Sequence, residues 1–190
     1  MCAIVDDILD LTSIDAGTMN LDLAEVNFEQ TLESALQSLA PVMDAREITA
    51  ERDISNQSRT VIGDEDRLAQ ILHNLLSNAV NFSPEGGKIS IGADVVEGYH
   101  EIRIADQGPG VHEDMRTSVF DRFEGRSPDG KRQGTGLGLS IVKGFIELHG
   151  GSIEVADTDE RGACFVCRLP LNPESSMFDL SDDANISSVA

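Results

Sequence analysis

The sequence predicts an α/β (α+β) two-layer sandwich, a mixed and mostly antiparallel sheet with helices packed on one face. Two observations lead there. Stretches around 28–43, 64–80 and 137–150 repeat apolar residues at helical spacing. The runs KISIGADVV with YHEIRIAD, and GSIEVAD with ACFVCRLP, alternate like neighbouring strands. No internal repeat is present, and helices mixed with antiparallel-looking strands pack best as two layers.

In chain order, Ile4, Ile8 and Leu11 recur at helical spacing, with Val5 and Leu9 beside them and Gly17 as a stop. Met19, Leu21 and Leu23 then alternate with Asn20 and Asp22, which predicts a strand. Asn27 is placed to cap a helix carrying Phe28, Leu32, Leu36, Leu39 and Met43 on one side. Strands are expected around Ile48–Ile54 and at Val61–Ile62, then a helix from Asp64 to Val80. Glu97 and Gly98 form the turn between the next two strands.

The 190 residues fit one ordinary domain with an extra helix and a tail. Fourteen Lys and Arg against 34 Asp and Glu give a net charge of −20, which repels polyanions and argues against nucleic acid as a partner. No stretch approaches the about 20 apolar residues of a membrane span, and no basic signal-peptide start is present. Three cysteines cannot form a disulfide framework, so a reducing, cytoplasmic setting without direct membrane contact is expected. Cys164 and Cys167 lie three apart on a strand and point to opposite faces, which argues against a metal or redox pair.

Charge is unevenly placed. Residues 1–45 hold nine carboxylates and no Lys or Arg, whereas Arg116, Arg122, Arg126, Lys131 and Arg132 cluster. Those bases sit in a Gly- and Pro-containing loop (EGRSPDGKRQ) suited to a small polyphosphate. The final residues mix Ser, Asp and Asn without periodicity, so disorder is expected there, with Met177, Phe178 and Leu180 as a candidate docking motif.

The helix at 64–80 has an unusual polar face. At about 100° per residue, Gln70, Asn74, Asn78 and Asn81 fall within a sector of roughly 80°. Asn is a poor helix former, so this stripe reads as a site rather than a solvated face. A carboxamide oxygen can complete a Mg²⁺ shell dominated by phosphates without adding a repelling charge. Two glycine clusters follow. Asp106-Gln107-Gly108-Pro109-Gly110 ends a strand, where Asp106 can accept a hydrogen bond from the exocyclic amine of a base. Gly134-Thr135-Gly136-Leu137-Gly138-Leu139 opens a helix, whose free N–H groups make a phosphate seat. It is neither a Walker loop nor GxGxxG.

Taken in order, QILHNLLSNAVNFSP, ADQGPG, VFDRFEG and GTGLGLSIVKGFIELHGGSIEV resemble the N, G1, F and G2 boxes of sensor histidine kinases. The resemblance implies the Bergerat (GHKL) ATP-binding fold over residues 17–170. Residues 1–16 then resemble the end of the second helix of the family's dimerisation hairpin, and 171–190 form an acidic tail. It implies that Asn78 holds Mg²⁺ with help from Asn74, that Phe82 packs on adenine, and that Asp106 takes the hydrogen bond of its amino group. Gly108 and Gly110 would shape the purine pocket. Phe120 and Phe123 would anchor a lid, Arg122 would approach the phosphates, and Gly134, Thr135, Gly136, Leu137, Gly138 and Leu139 would wrap them. Lys131 and Arg132 are lid candidates by position.

The expected activity is transfer of the γ-phosphoryl of Mg-ATP to a histidine outside this chain, on the dimerisation hairpin of a homodimeric parent whose membrane anchoring the sequence leaves open, with a response regulator downstream. Two departures bear on that. Asn81, in the nucleotide-facing stripe, stands where the family commonly has Lys or Arg. None of His73, His100, His112 and His149 has the H-E-x-x-x-P context of a phosphoacceptor. The alternative is a degenerate kinase similar to the tyrosine-bearing DivL family, acting as a scaffold or allosteric regulator without phosphorylating. A gyrase- or Hsp90-like hydrolase is disfavoured, because the position of its general base is Asn74.

Overall fold

Apolar stripes of period 3.6 and of period 2 have to be buried against one another, and the computed structural model shows how. It describes residues 3–123, 136–158 and 161–173. The elements run α1 (Ala3–Asp15), β1 (Ala24–Asn27), α2 (Phe28–Ala45), β2 (Thr49–Ile54), β3 (Thr60–Gly63) and α3 (Glu65–Phe82). There follow β4 (Lys88–Val96), β5 (Tyr99–Ala105), α4 (Gly138–Leu148), β6 (Ser152–Ala156) and β7 (Cys164–Pro170).

The main sheet has the order β2-β4-β5-β7-β6, with β2 parallel to β4 and every other pair antiparallel. β1 and β3 form a separate antiparallel pair. One face of the main sheet offers Ile89, Ile91, Ala93, Ile102, Ile104, Cys167 and Leu169, all buried against the helices. From α2 come Phe28, Leu32, Leu36, Leu39 and Met43; from α3, Leu68, Ile71, Leu72, Leu75 and Leu76; from α4, Ile141, Val142 and Phe145. Each such side chain contributes about 1.5–3 kcal/mol on burial, so three amphipathic helices on one sheet suffice to hold the layers together.

The opposite face is uncovered and charged. Glu101 on β5 is only 4% exposed, because Arg103 and Arg168 flank it, and Arg168 also reaches Glu154 on β6 at 2.7 Å. The strands join through Glu97 (φ 51°) and Gly98 (φ 86°), the left-handed pair a tight hairpin needs.

Local signals place the helix ends. Asn27 accepts from the amide of Gln30 at 3.0 Å to cap α2. Asp64 accepts from the amide of Arg67 at 3.1 Å to cap α3, which extends two residues past Val80 to Phe82.

Residues 18–23 correct one expectation. Met19, Leu21 and Leu23 are half-buried and alternate with exposed neighbours, yet no strand forms there and β1 begins at Ala24. The amide of Asp22 donates to the Asp64 carboxylate at 3.0 Å, so the segment is held by a side chain instead of a ladder. Alternating burial reflects an extended chain lying on the core, and strand pairing needs a neighbour as well. Cys164 and Cys167 are free, and burial pushes the Cys167 thiol up to about 12, which makes it an inert core residue. Among the described residues no helix is long and apolar enough to cross a membrane.

Candidate functional site

The carboxamide stripe of α3 splits in two. Gln70 donates to Asp10 of α1 at 2.9 Å, and Arg67 pairs with the same carboxylate at 3.1 Å, so the first turn of the stripe fastens α1. Arg67 also lies 5.0 Å over the Phe145 ring of α4. Gln70 therefore turns to α1, although it shares an angular sector with Asn74 and Asn78. Asn74 lies one turn further on, and its amide reaches the carbonyl of Gly138, the first residue of α4, at 3.4 Å. Asn78 is half-buried and Asn81 is exposed. The N box thus meets the second glycine cluster at the amino end of α4. There Gly136 adopts φ 69°, Leu137 is buried, and Leu139 packs against the core. Gly134, Thr135, Lys131 and Arg132 lie outside the described residues.

The carboxyl end of α3 is fixed by a residue the sequence did not single out. The guanidinium of Arg46 donates to the carbonyls of Val80, Asn81 and Ser83, and its own carbonyl accepts from Gly86. Those carbonyls have no partner within the helix, and a planar fork can serve several at once. Phe82, half-buried, follows from this end.

Asp106 ends β5 and is 8% exposed. Its Oδ1 accepts from the amide of Gly108 at 2.8 Å and from that of Ala163, in the β6–β7 connection, at 3.3 Å. Oδ2 has no partner among the described residues. Burial raises the carboxyl above its usual range, and the two amide donors pull it back. Gly108 is required on steric grounds, since a Cβ there would lie 2.7 Å from the Phe82 carbonyl oxygen. The first glycine cluster is thereby pressed against the end of the N box. Gln107 adds a further tie by accepting from the Lys88 amide at 2.9 Å. Gly110 takes φ 78°, a conformation that favours glycine.

The lid candidates divide. Phe120 is buried and stacks edge-on to Phe165 at 6.2 Å, whereas Phe123 is 62% exposed and has φ 64°. The Phe123 amide donates to Gly136 at 2.9 Å, which joins the F box to the glycine cluster. Arg122 is ion-paired with Asp15 at the end of α1, and the pairing holds the Asp15 carboxyl below its usual range. A recess of about 200 Å³ between α1 and α4, lined by Leu11, Ile14 and Lys143, lies beside that pair and away from Asp106.

Among the described residues few charged donors are available to a divalent cation here: no three His, Cys, Asp or Glu side chains converge on a point. A Mg²⁺ ion here would take most ligands from phosphates and water, and the half-buried Asn74 and Asn78 supply the neutral oxygens that suit such a shell. None of the four described histidines belongs to either glycine cluster, and His100 keeps a buried Nδ1 without a partner. Nε2 of His100 donates to the Thr60 carbonyl at 2.9 Å, and both nitrogens of His149 are hydrogen-bonded, while His73 and His112 are exposed.

Residues 63–173 match the family described as histidine kinase-, DNA gyrase B-, and HSP90-like ATPases. The sequence is 36% identical over 176 residues to sensor histidine kinase TmoS of Ectopseudomonas mendocina, covering 90% of this chain and 18% of that protein. It is 34% identical over 166 residues to sensor protein DivL of Caulobacter vibrioides, covering 87% of this chain and 21% of that one. The crystal structure of full-length ShkA in complex with AMPPNP superposes with a TM-score of 0.77 at 31% identity, over 90% of this chain and 36% of that one. The chain spans about a fifth of the length of the two curated relatives.

Proposed function

Because this chain belongs to the family of histidine kinase-, DNA gyrase B-, and HSP90-like ATPases, and carries the ATP-binding domain of the sensor histidine kinases within it, we propose that it moves the γ-phosphoryl of Mg-ATP to a histidine on a dimerisation hairpin. A response regulator would receive the phosphoryl next, and the parent would be a cytoplasmically active homodimer. The observation that supports this reading is the hydrogen bond from the Asn74 side-chain amide to the Gly138 carbonyl at 3.4 Å, which joins the carboxamide stripe of α3 to the amino end of α4.

In this reading the Asp106 carboxylate accepts from the adenine amino group, Phe82 packs on the base, and Gly108 and Gly110 let backbone come close to it. Amides of Gly134 to Leu139 receive phosphate oxygens at the positive end of α4. Asn78 and Asn74 would hold Mg²⁺, which would neutralise phosphate charge. An imidazole nitrogen of the acceptor forms a bond to the γ-phosphorus as the bridging P–O bond breaks and ADP leaves with that oxygen. Phosphoryl transfer asks little covalent chemistry of the protein, so positioning and charge neutralisation do most of the work. Arg122 adds positive charge once it leaves Asp15.

A second reading, a scaffold that binds ATP or partners without phosphorylating, is favoured by Asn81 in place of a base and by the Asp15–Arg122 pair. The two readings separate when the full chain is incubated with γ-labelled Mg-ATP and a histidine-bearing hairpin from its own parent. Label on the hairpin supports the kinase. Nucleotide binding with no label on the hairpin supports the scaffold.

A further inference from the structure

The β6–β7 connection lies against Asp106 with no room to spare. A Cβ on Gly162 would sit 1.8 Å from the Asp106 carbonyl oxygen, 2.7 Å from its carbon and 3.2 Å from Cα of Gln107. All three are backbone atoms, so no rotamer change relieves the overlap. Gly162 also has φ 135°, a conformation L side chains rarely adopt. From the other side Gly110 presses on the same residue, since its own Cβ would be 2.7 Å from the Gly162 carbonyl oxygen. Three backbone segments are thus stacked without an intervening side chain.

The next residue makes the consequence chemical. The Asp106 amide donates to the Ala163 carbonyl at 2.9 Å, and the Ala163 amide donates back to Oδ1 at 3.3 Å. With the Gly108 amide also on Oδ1, that oxygen is saturated, and the carboxylate is left with Oδ2 as its available acceptor. The geometry points to Gly162 as a positioning residue for base recognition: its missing side chain lets the β6–β7 connection hand an amide to Asp106 and fix which oxygen faces the ligand. This rests on the reading of Asp106 as the base-selecting carboxylate. A hydrogen bond weakens over a few tenths of an ångström, whereas a methyl on Gly162 must displace the connection by more than that. The long 3.3 Å contact breaks first and frees the carboxylate to rotate.

Three variants of the full chain test this, with Mg-ATP and Mg-GTP affinities and thermal midpoints measured for each. Gly162→Ala is expected to lose ATP affinity about tenfold or more and to bring the ATP-over-GTP ratio toward that of Asp106→Asn. Gly151→Ala is the packing control, because its Cβ would be 2.2 Å from the Arg168 carbonyl oxygen, at the α4–β6 turn. It is expected to lower the thermal midpoint with the ratio unchanged. If Asp106→Asn keeps the wild-type ratio, the base-selecting reading of Asp106 fails. If Asp106→Asn loses the ratio while folded Gly162→Ala keeps it, the role of Gly162 is overturned. Should Gly162→Ala not fold, the unmodified chain decides by NMR. Adding adenosine triphosphate shifts the Gly162 and Ala163 amide resonances, and no shift at either overturns the proposal.

Discussion

The backbone amide of Asp64 donates to Nε2 of His149 at 3.0 Å, which joins the amino end of α3 to the carboxyl end of α4. Since an amide can only donate, Nε2 is an acceptor, and Nδ1 carries the proton that bonds the Phe145 carbonyl at 2.7 Å. Asp64 meanwhile accepts from the amides of Asp22 and Arg67, so one corner holds the segment after α1, α3 and α4 together. These are the two helices whose facing ends form the candidate site.

That arrangement requires a neutral ring. Burial pushes the pKa of His149 below its ordinary value, and the same holds for His100. The folded protein therefore binds fewer protons than the unfolded chain in this range. The stability these rings contribute is present above the unfolded value of about 6.5 and is lost as pH falls through the depressed folded value. Denaturant unfolding at a series of pH values should show this decline, and His149→Gln should reduce its slope. An unchanged slope in that variant would remove His149 from the explanation. His149→Ala should cost about 2–3 kcal/mol at neutral pH, from a cavity and an unpaired Asp64 amide.

Arg46 predicts a loss that its charge alone would not. Its fork serves the carbonyls of Val80, Asn81 and Ser83, next to Phe82 and the loop leading to β4. Arg46→Ala should destabilise by about 2 kcal/mol, and Arg46→Lys should recover less than half of it, because one ammonium cannot span three acceptors. Full recovery by lysine in urea unfolding would contradict the bidentate account.

The Asp15–Arg122 pair is exposed, and pairs of that kind add little to stability. Asp15→Asn should leave the thermal midpoint nearly unchanged and raise affinity for a Mg-ATP analogue several-fold by freeing Arg122. In the Arg122→Ala background the same change should have no effect. An equal gain in both backgrounds would show that Arg122 does not meet the phosphates.

Asn78→Ala should weaken nucleotide binding with Mg²⁺ far more than without it. Equal losses under both conditions, measured by calorimetry, would leave Asn78 without a metal role.

Much of this architecture can be read along the chain. Asn27 and Asp64 cap helices through their immediate neighbours, and Glu97-Gly98 turns a hairpin through its own φ angles. These are local effects, and the four boxes likewise carry their spacing in the sequence. What stayed hidden depends on contacts between distant positions. Gln70 shares the Asn74 face by angle, but Asp10, 60 residues earlier, claims it. Arg122 finds Asp15 across 107 residues, and Ala163 reaches Asp106 across 57. Alternation at 19–23 gave the right faces and the wrong hydrogen bonds, because a single sequence does not say whether a neighbouring strand is present.

The most direct test is calorimetric titration of the full chain with a non-hydrolysable Mg-ATP analogue, beside Asp106→Asn. Saturable binding by the wild type, lost in the folded variant, is the predicted result. A folded wild-type protein that binds no nucleotide, or a variant that binds as well as wild type, would contradict the site described around Asn74, Asn78 and Asp106.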